Sequence, residues 1–377
     1  MPFDTAEFRI SLQKLFLALV VILIPIMLFG LYVGLQANRQ VQRMSGAYFR
    51  TITRASAAIT SEYLAERVAE VVTLANQPTV QQSVENAGKA YGNRSDAAMQ
   101  ARADQMEKKW NTPESDAMVK MMFSSEVGQA IRRHREMNPK LLRITVVDQA
   151  GAIVSATDKP LSYFQTDSEY WRAFSRNVRP SVYVSDLRYD DQSRTQYISI
   201  SAPIFQEGSG RFIGAVTALV DVSPLFAYLD QQQIAQTGRV FLIKEDGTVL
   251  TSPGVTPQTK VQSEEYNAIR DSLGTLHGRE AGYMYATLPN GVNYLIGFAD
   301  PGLKPAYGNL GWIIIASQET REAIGPARNM AYFSLLLLLV GLVLLSVLGA
   351  YVFEHRKQVI EDIEEKPEDT KRMAAAS

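Results

Sequence analysis

Residues 141–157 read LLRITVVDQAGAIVSAT, and this stretch decides the fold. Its apolar and polar side chains change to a period of two at Leu141, which is typical of a half-buried strand. The DQAG segment at 148–151 places Asp and Gly between two apolar segments and predicts a turn. The stretch therefore predicts two strands of an antiparallel sheet.

The next segments continue this sheet. SEYWRAF at 168–174 predicts a short helix, and VYVSDLRYDD at 182–191 predicts the edge of the sheet. TQYISISAPIF at 195–205 and GRFIGAVTALVDV at 210–222 predict two longer strands, the second of them largely buried. This order describes an antiparallel sheet with its helices on one side.

The same order of elements recurs in a smaller form. GRVFLIKEDGTVLTSPG at 238–254 predicts a hairpin, and a helix follows near 263–273. The segment at 278–302 predicts a second hairpin with Asn-Gly at its turn, and LGWIIIASQET at 310–320 predicts the last strand. The sequence thus predicts an α+β fold with two tandem PAS-like units, at 141–235 and 236–325, which arose by internal duplication.

Residues 36–140 are predicted to be helical. Apolar side chains recur at three- and four-residue steps from Val41 to Leu74, which predicts one long helix that ends before Pro78. Two or three shorter helices are expected in the polar segment 80–138. Two copies of the long helix could pair, so a homodimer is expected, and the helix is also expected to pack in part on its own domain.

Two uncharged apolar runs flank everything described so far. They are LFLALVVILIPIMLFGLYVGL at 15–35 and AYFSLLLLLVGLVLLSVLGAYVF at 331–353, each long enough to cross a bilayer. The first has no small-residue cleavage site after it, so we expect an uncleaved anchor. Basic residues occur in nearly equal numbers on the two sides of these runs, so the positive-inside rule does not determine the orientation in the membrane. The size of the middle domain favours a two-pass protein of the bacterial inner membrane, with cytoplasmic tails at 1–14 and 354–377.

Composition excludes several kinds of site. The chain has 377 residues, a net charge of −1, no cysteine and three widely spaced histidines. The near-neutral balance predicts no nucleic-acid surface, and the residues show no spacing that predicts a metal or cofactor site. No nucleophile elbow, zinc-protease motif or phosphate-binding loop is found, so binding is predicted rather than catalysis.

The order and spacing of the quoted segments resemble the double-Cache sensor domain of bacterial chemoreceptors, sensor histidine kinases and diguanylate cyclases, over residues 36–325. The resemblance implies that amine or amino-acid ligands bind in the membrane-distal unit, 141–235. Aromatic residues of the helical segment would line the pocket, and an acidic residue at the end of a strand would bind the ligand ammonium. By the same resemblance, Ser168 stands where amino-acid binders carry an arginine for the ligand carboxylate, and Arg172 or Arg188 could replace it. An amine, a different small molecule or no ligand at all therefore remain open as alternatives to an amino acid. The candidate ligand-binding residues are Tyr163, Tyr170, Trp171, Arg172, Tyr183 and Asp221.

Other interpretations remain open at this point. In the membrane-proximal unit, Tyr283, Tyr285, Tyr294 and Asp300 could line a second site, although core packing explains them more simply. Sensors of this family carry an output domain, whereas residues 354–377 are too short for one. We therefore expect either a protein that signals through a partner or a truncated receptor. A scaffolding subunit of an envelope complex is the alternative from another functional class.

Overall fold

The computed structural model describes residues 12–89, 96–175, 182–190, 194–251, 260–274, 280–325 and 332–351. The predicted tails at 1–14 and 354–377 lie almost wholly outside these residues. The chain forms two compact units, one of Met1–Ser45 with Thr320–Ser377 and one of Gly46–Glu319. Both sheets belong to the second unit.

Five helices precede the first sheet in the described part of the chain. The long helix α1 is confirmed. It begins well before the predicted start because it is continuous with the segment predicted as the first span, 15–35. Proline is tolerated in the first turn of a helix, which is where Pro78 lies in the next helix. The helices are α1 (Leu12–Ala75), α2 (Pro78–Lys89), α3 (Asp96–Trp110), α4 (Ser115–Ser124) and α5 (Glu126–Met137).

The distal sheet is antiparallel, with strand order β2-β1-β6-β5-β3, and β4 also pairs with β5. Its elements are β1 (Leu141–Asp148), β2 (Ile153–Ala156), α6 (Glu169–Ser175), β3 (Tyr183–Val184), β4 (Arg188–Asp190), β5 (Thr195–Phe205) and β6 (Phe212–Asp221). The predicted β1–β2 turn is confirmed. Gly151 adopts a φ of 79°, and Asp148 Oδ1 accepts hydrogen bonds from the amides of Ala150 and Ala152.

The two faces of the distal sheet differ in burial. On one face Ile144, Ile200 and Val220 are fully buried, and α2 packs there through Val84 against Gly214. Side chains alternate between faces along a strand. The alternate residues of the same strands therefore lie on the other face, and most of their side chains are only half-buried. We call this surface the open face; its central residues are Arg143, Thr145, Ser199, Ser201, Thr217 and Leu219.

The proximal sheet repeats the order of the distal sheet. Its strand order is β8-β7-β11-β10-β9, so each sheet places its first hairpin beside its last strand. The predicted turns are confirmed, with Gly247 at φ 85° and Gly291 at φ 76°. The elements are α7 (Ser223–Asp230), β7 (Arg239–Lys244), β8 (Val249–Thr251), α8 (Glu264–Leu273), β9 (Ala281–Thr287), β10 (Asn293–Ala299), α9 (Lys304–Tyr307) and β11 (Trp312–Glu319).

A last pair of helices follows, α10 (Thr320–Ala323) and α11 (Tyr332–Tyr351). Within the described residues, α11 is the one helix that is long and apolar enough to cross a membrane. The predicted first span, 15–35, lies in α1 and stays a prediction. A Cβ added at Gly34 of α1 would lie 3.3 Å from Ser334 Oγ of α11, so the two helices approach closely there. Small residues allow such close packing of helices in a bilayer.

Candidate functional site

The helix α6 places Tyr170 against the open face. Ser168 precedes the helix, and its Oγ accepts a hydrogen bond from the amide of Trp171 (3.4 Å), which satisfies one free amide of the first turn. Tyr170 is 6 % exposed and packs in a core cluster with Trp110 and Ala215, among others. Consecutive residues of a helix point in different directions, and Trp171 packs against the same cluster from a half-buried position.

The hydroxyl of Tyr170 is buried without a hydrogen-bond partner among the described residues. Burial raises the pKa of Tyr170 to about 12, and the nearby hydroxyls of Ser168 and Thr217 partly oppose the shift. Both are close to Tyr170 Oη but do not meet the geometry of a hydrogen bond. Most buried polar groups in folded proteins have a partner, so such an exception indicates a site where a ligand or water completes the bonding.

Two other predicted site residues pack in aromatic clusters. Tyr163 lies 5.4 Å from Trp110, measured between ring centroids, and its amide donates to Glu107 Oε2. Trp171 lies 5.8 Å from Phe212 by the same measure. Both side chains contribute to packing between the helices and the sheet.

Tyr183, Arg172 and Glu169 form the rim of the site. Tyr183 Oη donates to Glu169 Oε2 over 2.7 Å, and Arg188 Nη2 donates to the same oxygen over 2.9 Å. The hydrogen bond from Tyr183 holds the pKa of Glu169 below its usual value, with smaller contributions from Arg188 and Arg172. Burial and Glu169 together raise the pKa of Tyr183 to about 12. These groups are already satisfied, so they shape the rim of the site.

Asp221 ends β6 and helps to start α7. Its Oδ1 accepts a hydrogen bond from the amide of Ser223 (2.8 Å), and its backbone oxygen accepts one from Tyr63 Oη of α1 (2.8 Å). The ten residues of β6 span roughly 30 Å, with Phe212 at the other end. Because Trp171 packs on Phe212, the structure does not bring Trp171 and Asp221 together as walls of one small pocket.

Sequence reasoning did not single out two polar features of the open face. Ser201 Oγ and Thr217 Oγ1 lie 2.8 Å apart at its centre. Arg143 stands opposite Leu219 in the sheet, and its Nε is buried without a partner among the described residues. The alternation of residues 143, 145 and 147 could have placed Arg143 on this face, but its lack of a partner depends on the whole packing.

In the described residues of the proximal unit, the interior differs from the open face. Its interior is an apolar cluster that includes Phe241, Ile269 and Ile315, and Tyr294 packs against it. Asp300 instead borders a groove of about 360 Å³ beside Ala58 of α1. The packing of Tyr294 agrees with the simpler core explanation. No group of three or more metal-binding side chains occurs in the described residues.

A comparison with protein-family profiles identifies the family. The sequence profile of the Cache domain, dCache_1, matches residues 37–327. Among curated protein sequences none matches significantly. Among solved structures, the ligand-binding domain of the Pseudomonas aeruginosa PAO1 amino acid chemoreceptor PctC, in complex with GABA, is 13 % identical, with a TM-score of 0.46, and the alignment covers 72 % of this chain and 99 % of that one.

Two further structures are similar. The ligand-binding domain of the Pseudomonas aeruginosa PAO1 chemoreceptor PctB, in complex with L-Arg, is 16 % identical, covers 74 % of this chain and 96 % of its own, and has a TM-score of 0.43. The corresponding domain of the Pseudomonas fluorescens chemoreceptor CtaA, in complex with L-isoleucine, is 13 % identical, covers 76 % and 97 %, and has a TM-score of 0.44. From the profile match and its two tandem sheets, we conclude that the chain belongs to the Cache domain family, as a double-Cache member.

Proposed function

We propose that this protein is a membrane-anchored, extracytoplasmic sensor, without catalytic activity, that binds a small polar molecule at the open face of the distal sheet. The observation that carries this proposal is the pair of buried polar atoms without partners, Tyr170 Oη and Arg143 Nε, on that face. Leaving such groups unsatisfied costs free energy, and a ligand that bonds to them would recover it. The ligand complexes of PctC and PctB agree with a small-molecule ligand.

We propose that two membrane spans, 15–35 and 331–353, hold the sensor domain outside the inner membrane as a homodimer. The close approach of Gly34 to Ser334 supports the pairing of these two segments. A membrane or cytoplasmic signalling partner would detect the response.

A chain of contacts could carry the response from the site to the proximal sheet. Arg188 forms an ion pair with Glu169 of α6. Two residues earlier in the chain, Asp186 forms an ion pair with Lys244 of β7 (2.5 Å). Lys244 stands opposite Trp312 of β11, the strand that leads towards the membrane helix. A ligand can shift the protein from one conformation of this path to another only if it binds the two conformations with different affinities.

The test is a binding screen on the full chain in detergent. Melting temperature is measured with amino acids, amines and organic acids, first for the wild type and then for Tyr170→Phe. A compound that raises the melting temperature of the wild type, and raises it less for Tyr170→Phe, supports the proposal. If a broad screen finds no compound and another membrane protein co-purifies stably, the proposal is wrong and a scaffolding role replaces it.

A further inference from the structure

We infer that Arg143 is the anion-binding residue of the distal site and that the ligand therefore carries a carboxylate. This inference rests on the proposed function. It gives a ligand-binding role to a residue that is not among the candidate ligand-binding residues predicted from the sequence. Arg143 lies on β1, not on the helical segment where the resemblance led us to expect an arginine. It would thus replace the group that is missing at Ser168.

Arg143 differs from the other arginines near the site because its Nε is buried without an acceptor among the described residues. Arg188 is bonded to Glu169 across 2.9 Å, and Arg172 is exposed close to the same carboxylate. In the described residues, Arg143 has no ion pair or hydrogen bond from its side chain, and its Nε is shielded from water. A buried guanidinium N–H without an acceptor is costly, so an anionic group from outside the chain is the natural partner.

The register of the sheet places Arg143 where a ligand on the open face would reach it. It stands opposite Leu219, and two residues further along β6 the same face carries Asp221. Diagonal neighbours of this kind are about 7–8 Å apart. The two opposite charges are not paired with each other among the described ion pairs. A small zwitterion could therefore present its carboxylate to Arg143 and its ammonium to Asp221.

Arginine also suits this chemistry by its shape. Its planar group offers two parallel N–H donors to the two oxygens of a carboxylate, whereas an amine ligand would be repelled. The neighbouring hydroxyls of Thr217 and Tyr170 could complete the bonding of the same ligand. The site would then select molecules by the presence of a carboxylate.

The test compares acids with amines on the full chain in detergent. L-arginine, L-leucine and GABA are each paired with the amine that lacks the carboxylate: agmatine, isopentylamine and propylamine. Affinities are measured by calorimetry for the wild type, Arg143→Gln and Arg143→Lys. Arg211→Gln is the matched control, because Arg211 is exposed in the hairpin at the far end of β6.

We expect at least one acid to bind more tightly than its amine. Arg143→Gln should lower the affinity for that acid about tenfold or more, without lowering the affinity for the amine. The affinity of Arg143→Lys for the acid should lie between those of the wild type and Arg143→Gln, because lysine keeps the charge but loses the paired donors. Arg211→Gln should bind like the wild type. An unliganded melting temperature of Arg143→Gln close to that of the wild type would show that the fold is intact.

The other outcomes overturn the inference in distinguishable ways. If acids and amines bind equally, or if Arg143→Gln keeps the preference for the acid, Arg143 is not the anion-binding residue and the proposed function stands. If neither acids nor amines bind the wild type, this inference fails together with the proposed binding site.

Discussion

Replacing Tyr170 by Phe should make the unliganded protein more stable, which is the opposite of the usual effect of a buried Tyr→Phe change. The ring of Tyr170 fills the cluster that contains Trp110 and Ala215, and Phe keeps that packing. The hydroxyl forms no hydrogen bond with any described residue, and its burial costs free energy. An unsatisfied buried polar group costs about 1–3 kcal/mol, so its removal should raise the free energy of unfolding by about 1 kcal/mol.

Tyr63→Phe is the matched control. Tyr63 Oη donates to the backbone oxygen of Asp221 over 2.8 Å, so this change removes a hydrogen bond that is present. It should lower the free energy of unfolding by about 1 kcal/mol. For a folded unit of this size, 1 kcal/mol corresponds to a shift of about 2 °C in melting temperature.

The assay is thermal unfolding of the full chain in detergent, followed by tryptophan fluorescence, with and without a compound from the screen. We expect Tyr170→Phe to melt about 2 °C above the wild type without ligand. With ligand its advantage should shrink or reverse, because the hydroxyl then has a partner. If Tyr170→Phe melts below the wild type, as Tyr63→Phe should, the hydroxyl is bonded within the protein and the reasoning about the site is refuted.

Two further predictions concern the proximal unit. Glu265 is 2 % exposed, and its burial acts to raise its pKa. The hydrogen bond and charge of Arg239, a backbone amide and the hydroxyl of Ser317 together outweigh burial and lower the pKa. The contribution of Glu265 to stability is therefore complete above about pH 4.5 and is lost as the pH falls through the lowered value. Glu265→Gln should reduce the melting temperature at pH 7 and flatten its decline below pH 4.5; an unchanged acid profile would contradict this. Gly297→Ala should destabilise by roughly 1–3 kcal/mol in denaturant unfolding, because its Cβ would lie 3.0 Å from the Phe49 backbone oxygen of α1. Gly274→Ala, whose Cβ has room, is its control, and equal effects of the two changes would refute the packing argument.

Local patterns in the sequence predicted most of the architecture. The alternation in 141–157 and the Asp-Gly and Asn-Gly pairs correspond to strands and turns in the structure, including Gly247 and Gly291 at positive φ. These patterns succeed because a turn or strand is decided by residues that are adjacent in the chain. The repeated order of elements likewise predicted two sheets of the same topology.

The candidate site was predicted less completely. Tyr170 and Trp171 are neighbours in the sequence, and the resemblance assigned both to one pocket. In the structure Tyr170 belongs to the core cluster, and Trp171 packs against the same cluster and on Phe212, at the end of β6 away from Asp221. Distance along a strand separates residues that a shared motif suggests are close.

What the sequence by itself determined is therefore the set of elements, their duplication and the family to which they belong. Only the tertiary structure decided which face of the distal sheet stays open. It also decided that Tyr170 Oη and Arg143 Nε, which lie at this face, have no partner among the described residues. The physical reason is that strands and turns follow from local conformational preference. Whether a buried group is satisfied depends on every chain segment that packs around it.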